Sequence, residues 1–163
     1  MNQHIGTKLV SAKPMNRAEY NEYRGWELPA DENGADEGYL VEYLDGGEPN
    51  HPDHEGYISW SPKPQFDNAY RQTTGMTFGL ALEALRKGHK VARTGWNGKG
   101  MWIVLDPGTP DAQAREGSVY AKAGITDLTI NPHIDMKTAT GEMQPGWLAS
   151  QTDMLADDWQ IAA

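Results

Sequence analysis

The sequence predicts an α+β protein: a small antiparallel sheet packed with a helix in a C-terminal module, preceded by a small acidic α+β N-terminal module. Three observations predict it. Short runs rich in Val, Ile, Tyr and Trp, among them GYLVEYL at 38–44, GYISW at 56–60 and MWIVL at 101–105, are separated by Gly-, Asn- and Pro-containing turns. One segment, TFGLALEALRKG at 77–88, spaces Phe78, Ala81, Leu82 and Leu85 as one face of a helix. Charge is divided unevenly, with 6 basic and 13 acidic residues in 1–72, net −7, against 8 and 10 in 73–163, net −2. Two modules, 1–75 and 76–163, are therefore expected, with the polar RQTTG of 71–75 as the seam.

In the first module, Asn16 followed by Glu19 is a capping pair, so a short helix is expected through about Tyr23, closed by Gly25. GYLVEYL then forms a strand, LDGGEPN turns it, and GYISW returns. Ser61 as cap, with Pro62 in the first turn, starts a last helix that carries Phe66 and Tyr70 inward at i, i+4. Acidic residues gather in the loops of 31–55, where solvated charge is the ordinary reading and an acidic docking surface the sharper one. HPDHE at 51–55 offers two histidines and two carboxylates, all metal-ligand types. Pro52 and the surrounding Gly, Pro and Asn mark a surface turn, and no histidine-rich partner completes a set. Solvated loop histidines are expected there.

In the second module the helix starts at Thr77 and stops at Gly88. HKVAR at 89–93 and MWIVL at 101–105 are strands joined by the loop TGWNGKG, and PGTPDAQAREGS after them reads as a flexible excursion. INPHIDMK at 130–137 alternates like a strand, TATGE turns it, and MQPGWLA leads away. Ser150 with Asp153 three residues on marks a helix start, and WQI at 159–161 closes as a strand.

Composition excludes several functions. A net charge of −9 argues against neutralising the phosphates of duplex DNA or an anionic membrane surface. Without cysteine there are no disulfides, thiolate zinc sites or cysteine nucleophiles. MNQHIGTKLV lacks the apolar core of a signal peptide, and no apolar run approaches the roughly 20 residues that span a bilayer. A cytoplasmic protein is expected.

His133 and Asp135, two apart on a strand, share a face and could serve acid-base chemistry or ligate a metal. No cage of further carboxylates or histidines, no GxSxG and no GxxxxGK[ST] accompanies them, so no catalytic set, metal or cofactor is expected. The remaining residues suit holding a base. Trp96 and Trp147 each sit beside a glycine in a loop, where an indole can stack on a base for about 1–3 kcal/mol. Asn97, Gln151 and Asp153 can read donors and acceptors on a base or ribose, and Arg93 and Lys99 can answer phosphate charge.

MTFGLALEALRKGHKVARTGWNGKGMW, followed by PHIDMKTATGEMQPGWLASQTDMLADDW, resembles the bacteriophage anti-Thoeris family of signal-sequestering proteins, its second type, over essentially all of 76–163. The resemblance implies a non-enzymatic sponge: a homo-oligomer, tetrameric where known, that binds cyclic ADP-ribose isomers made by host TIR-domain proteins. It implies that such signals, and in some members cyclic dinucleotides in separate pockets, are withheld from Thoeris and CBASS effectors in the cytoplasm of the infected bacterial host. Trp96, Asn97 and Trp147 match pocket positions of the family, with Phe78, Arg93, Gln151 and Asp153 as further candidates. Residues 1–75 lie outside the resemblance, although GTKLVSAKPMNRAEYNEYRGWELP is similar to modules in other phage proteins.

Three functions follow from these readings. A binding module would sequester cyclic nucleotide signals intact. A phosphodiesterase-type enzyme would use His133 and Asp135 and return altered ligand. A host-protein-binding phage factor would act through the acidic first module and ignore small nucleotides.

Overall fold

The Asn16 side chain accepts the Glu19 amide at 2.9 Å while the Glu19 carboxylate accepts the Asn16 amide at 2.8 Å. This reciprocal box starts helix α1 (Arg17–Arg24), and Gly25 ends it in the left-handed region at φ +66, where a Cβ would be strained. The computed structural model describes all 163 residues, which divide into two units, Met1–Arg71 and Gln72–Ala163. Both are α+β.

In the first unit, β1 (Val10–Pro14), β2 (Gly38–Tyr43) and β3 (Tyr57–Pro62) pair antiparallel in that order. Leu40 and Ile58 from the sheet meet Tyr20 of α1 in a buried cluster. Trp60 packs on its edge and donates its indole N–H to the Met15 carbonyl at 2.8 Å. β1 was not expected from the sequence. VSAKP mixes a lysine and a proline with few apolar residues, so only its pairing with β2 at the sheet edge makes it a strand, and an edge is where proline is tolerated. The last helix also starts later than expected. Ser61 stays in β3, paired with Tyr39, and α2 (Lys63–Ala69) begins after Pro62 with no side-chain cap. Phe66 stacks on Tyr39 and on Tyr70, with ring centroids 4.2 and 4.7 Å apart.

In the second unit, the Thr77 hydroxyl caps α3 (Phe78–Arg86). The remaining elements are β4 (Val91–Arg93), β5 (Trp102–Asp106), β6 (Thr109–Gln113), α4 (Val119–Lys122), β7 (Asp127–Ile130), β8 (His133–Lys137), β9 (Met143–Gln144), α5 (Gln151–Met154) and β10 (Trp159–Ile161). Five of the strands form an antiparallel sheet in the order β10-β4-β5-β8-β9. Ala81, Ala84 and Leu85 of α3 bury against Met76, Val91, Ile103 and Trp159, with Phe78 and Leu82 partly buried beside them, so the expected face is centred on Ala81 and Leu85 and extends to Ala84. The excursion after β5 is more ordered than expected: β6 and β7 pair as a separate two-stranded sheet around α4. A register shift between Thr109 and Ala112, with Asp111 at φ +55, breaks the alternation that would have announced a strand. INPHIDMK divides for a related reason. Ile130 ends β7, and Pro132, which has no N–H to give a ladder, separates it from β8.

Gly38 faces Trp60, and a Cβ there would stand 2.5 Å from the Trp60 ring and from the Ser61 carbonyl. Gly38→Ala is expected to cost about 1–3 kcal/mol through overpacking. The check is a lower urea midpoint for the transition that exposes the β2 and β3 amides to hydrogen exchange.

Candidate ligand site on two tryptophan loops

The loop between β4 and β5 and the loop that leads into α5 meet through their tryptophans. Trp96 and Trp147 stand 6.2 Å apart between ring centroids, edge to face, and each also packs against the fully buried Trp159, at 5.4 and 6.2 Å. Phe78 completes the cluster, 5.5 Å from Trp159 and 6.4 Å from Trp147. All but the tilted Phe78–Trp159 pair are edge to face, a favoured aromatic geometry. These contacts explain how an indole can sit in each of two glycine-containing loops: each ring packs against the core and remains partly exposed. Trp147 is fixed further by its amide, which donates to the Ile134 carbonyl of β8 at 2.7 Å.

One carboxylate organises the loops. Asp153 Oδ1 accepts the Arg93 guanidinium at 2.8 Å and the Trp96 indole N–H at 3.1 Å. Its Oδ2 accepts the Ser150 hydroxyl at 2.6 Å and the Ser150 amide at 3.0 Å, and Ser150 Oγ accepts the Asp153 amide at 3.1 Å. The last pair is the capping box expected at Ser150 and Asp153. The Asp153 carbonyl accepts the Trp159 indole N–H at 3.0 Å. Arg93 completes the lattice by donating from Nε to Asp158 Oδ1 at 2.8 Å, while Asp158 Oδ2 accepts the Gly95 amide at 2.6 Å.

The electrostatics follow from these bonds. Burial alone would raise the Asp153 pKa, but hydrogen bonds from Ser150, Arg93 and Trp96 outweigh it and hold the carboxyl at about 2. The Arg93 hydrogen bond holds Asp158 below the usual carboxylate range, and the two aspartates push the Arg93 pKa up.

Of the residues singled out in the sequence, Trp96, Trp147 and Phe78 come together in the aromatic cluster, and Arg93 and Asp153 form the ion pair beside it. Asn97, Lys99 and Gln151 are exposed on the same two loops and the helix that follows. The sequence reading sets Arg93 against phosphate and Asp153 against a base or ribose; in the structure both are engaged in holding the loops. Asp158 was missed. Its signal was the acidic run ADDW beside a strand, which needs a cation across the sheet, and Arg93 lies opposite Trp159 in the register.

Fold and site together define a small α+β domain whose antiparallel sheet carries one long helix and presents two aromatic loops tied to a buried ion pair. The chain belongs to the Tad2-like family, the Thoeris anti-defense 2-like domain, whose model matches residues 76–162. A relative from Bacillus phage SP01, Thoeris anti-defense 2, is 40% identical over 90 residues, 55% of this chain and 98% of the relative. The family match thus covers the whole aromatic site and none of the first unit. No helix of the chain is long and apolar enough to cross a membrane.

A carboxyl held at about 2 in the folded protein and near 3.8 when unfolded stabilises the fold by about 2 kcal/mol above pH 4. Because the folded value is the lower one, this contribution is lost as pH falls from about 4 through 2. Urea midpoints of the wild type should therefore fall more steeply over that window than those of Asp153→Asn, which should start lower at pH 7. Parallel pH profiles would contradict the assignment.

Proposed function

We propose that the chain is a phage anti-defence protein that binds cyclic nucleotide signals of the host and holds them intact, so that the defence effectors they activate stay silent. Cyclic ADP-ribose isomers are the first ligand class and cyclic dinucleotides the second, withheld from Thoeris and CBASS effectors respectively in the cytoplasm of the infected cell. Family membership supports the anti-defence role. The observation that carries the binding mode is the meeting of Trp96 and Trp147, from separate loops, both partly exposed, with Asn97 and Gln151 exposed on the same segments.

In this reading the two indoles stack on bases, and Asn97 and Gln151 read base or ribose edges. Lys99 and the amides of the Gly98–Gly100 turn meet the phosphates. Phe78 backs Trp147, and Arg93 and Asp153 hold Trp96 at its angle. The protein acts as a homo-oligomer, a tetramer, with pockets between copies. Leu148 and Leu155, 88% and 81% exposed, and Met154, 48% exposed, border the site as an apolar patch that a second copy would cover. Chemistry is not required, because removal is stoichiometric.

The test is equilibrium binding of a cyclic ADP-ribose isomer, and separately of a cyclic dinucleotide, to the wild type, Trp96→Ala and Trp147→Ala. Loss of one stack is expected to weaken binding about 5- to 100-fold, with circular dichroism and elution volume unchanged. Wild-type affinity in both variants would rule out the stacking site.

A further inference from the structure

Asp106 at the end of β5 stands opposite His133 at the start of β8 in the sheet register, and Asp135 follows two residues along β8 on the same face. A ring nitrogen and two carboxylate oxygens from these three half-buried residues lie within 4.8 Å of one another. Each carboxylate is also held by a backbone amide. Asp106 Oδ1 accepts the Gly108 amide at 2.7 Å, and Asp135 Oδ1 accepts the Gly146 amide at 3.2 Å.

The imidazole gives the cluster its direction. His133 Nδ1 lies 2.8 Å from the Asn131 carbonyl oxygen, which can only accept, so Nδ1 carries the hydrogen. Nε2 is then the free nitrogen, and it stands 3.4 Å from Asp135 Oδ1. In a neutral ring that places a lone pair against a carboxylate, with a second carboxylate alongside, an arrangement that a cation between them resolves.

We propose that Asp106, His133 and Asp135 form a binding site for a divalent first-row cation, Zn²⁺ or Mn²⁺. An Nδ1–H tied to a backbone carbonyl, leaving Nε2 to the metal, is the outer-shell arrangement that orients metal-bound histidines. Two ligands bonded at about 2.0–2.1 Å with a tetrahedral angle stand about 3.4 Å apart, which is the Nε2 to Oδ1 separation. One imidazole with two carboxylates suits a borderline ion better than Ca²⁺ or Mg²⁺, which prefer all-oxygen shells, or Cu⁺, which prefers sulfur. Two carboxylates also offset the ion's charge. The ion would tie β5 to β8 and, through Asp135 and Gly146, to the loop that carries Trp147. The third ligand is invisible along the sequence, because Asp106 joins His133 and Asp135 only through the strand register.

The test uses the full chain, stripped with chelator and titrated calorimetrically with Zn²⁺ and, separately, Mn²⁺. One ion per chain is expected. Asp106→Asn, which keeps an oxygen for the Gly108 amide, and His133→Ala should each weaken binding at least about 10-fold. His54→Ala, in the HPDHE loop, should leave it unchanged. In the wild type, Mn²⁺ should broaden the amide resonances around the three ligands, those of Gly108, Ile134 and Gly146 among them, before those of the first unit, a readout that does not depend on a variant folding. Three results would overturn the proposal: no saturable binding, binding lost in His54→Ala but kept in the other two variants, or broadening centred elsewhere. A proton on Nε2, an imidazolium between two aspartates, would then be the occupant.

Discussion

The second unit depends on a single buried carboxylate. Asp153 receives a guanidinium, an indole N–H, a hydroxyl and an amide, and its backbone carbonyl receives the indole of the largest fully buried side chain in the unit, Trp159. A carboxylate shielded from water at this depth is costly unless its lone pairs are met. Here they are met by groups from two distant stretches of chain: Arg93 and Trp96, at the end of β4 and in the loop that follows, and Ser150 at the start of α5. One charge thereby fixes the angle of Trp96, anchors a helix of only four residues and recruits Arg93, which in turn orders Gly95 through Asp158. Removing Asp153 would leave Arg93 Nη1 and the Trp96 indole N–H without their partner as well as losing a cap.

Rigidity of this kind would serve the sequestering role proposed above. An agent that works by stoichiometric removal must bind below the effector's activating concentration, and nanomolar affinity corresponds to about −12 kcal/mol from one small ligand. Two base stacks contribute about 2–6 kcal/mol of that, and polar contacts supply the remainder only if the loops need not be ordered on binding. The aromatic cluster and its ion pair meet that ordering cost during folding. The β4–β5 loop needs glycine at two positions, because a Cβ at Gly98 would collide with Met101 Sδ and Gly100 has φ +70, while Trp96 is held by the core.

The helices were largely legible in the sequence because their signals are local. Asn16 with Glu19, Thr77 before its apolar face, and Ser150 with Asp153 each declare a helix start within four residues. Strands β2, β3, β5 and β10 were legible from β-branched and aromatic runs. What escaped depends on partners far along the chain. β1 exists because β2 offers an edge, and β6 hides behind a bulge. Trp96 and Trp147 were legible as candidates because glycine and a turn flank each, but the edge-to-face packing on Trp159 was not. The ion pair between Arg93 and Asp153 was hidden for the same reason. Each reads as an available charge when seen alone, and a separation of 60 positions along the chain conceals that they satisfy one another.

The central claim is that the aromatic site holds a cyclic nucleotide without changing it, and recovering the ligand tests this most directly. The protein is mixed with a cyclic ADP-ribose isomer or a cyclic dinucleotide, freed of unbound ligand and denatured by heat, and the released molecule is identified by chromatography and mass. The account predicts unaltered ligand in stoichiometric yield. A converted product would contradict it in favour of an enzyme, and an empty supernatant would contradict it in favour of a protein partner for the acidic first unit.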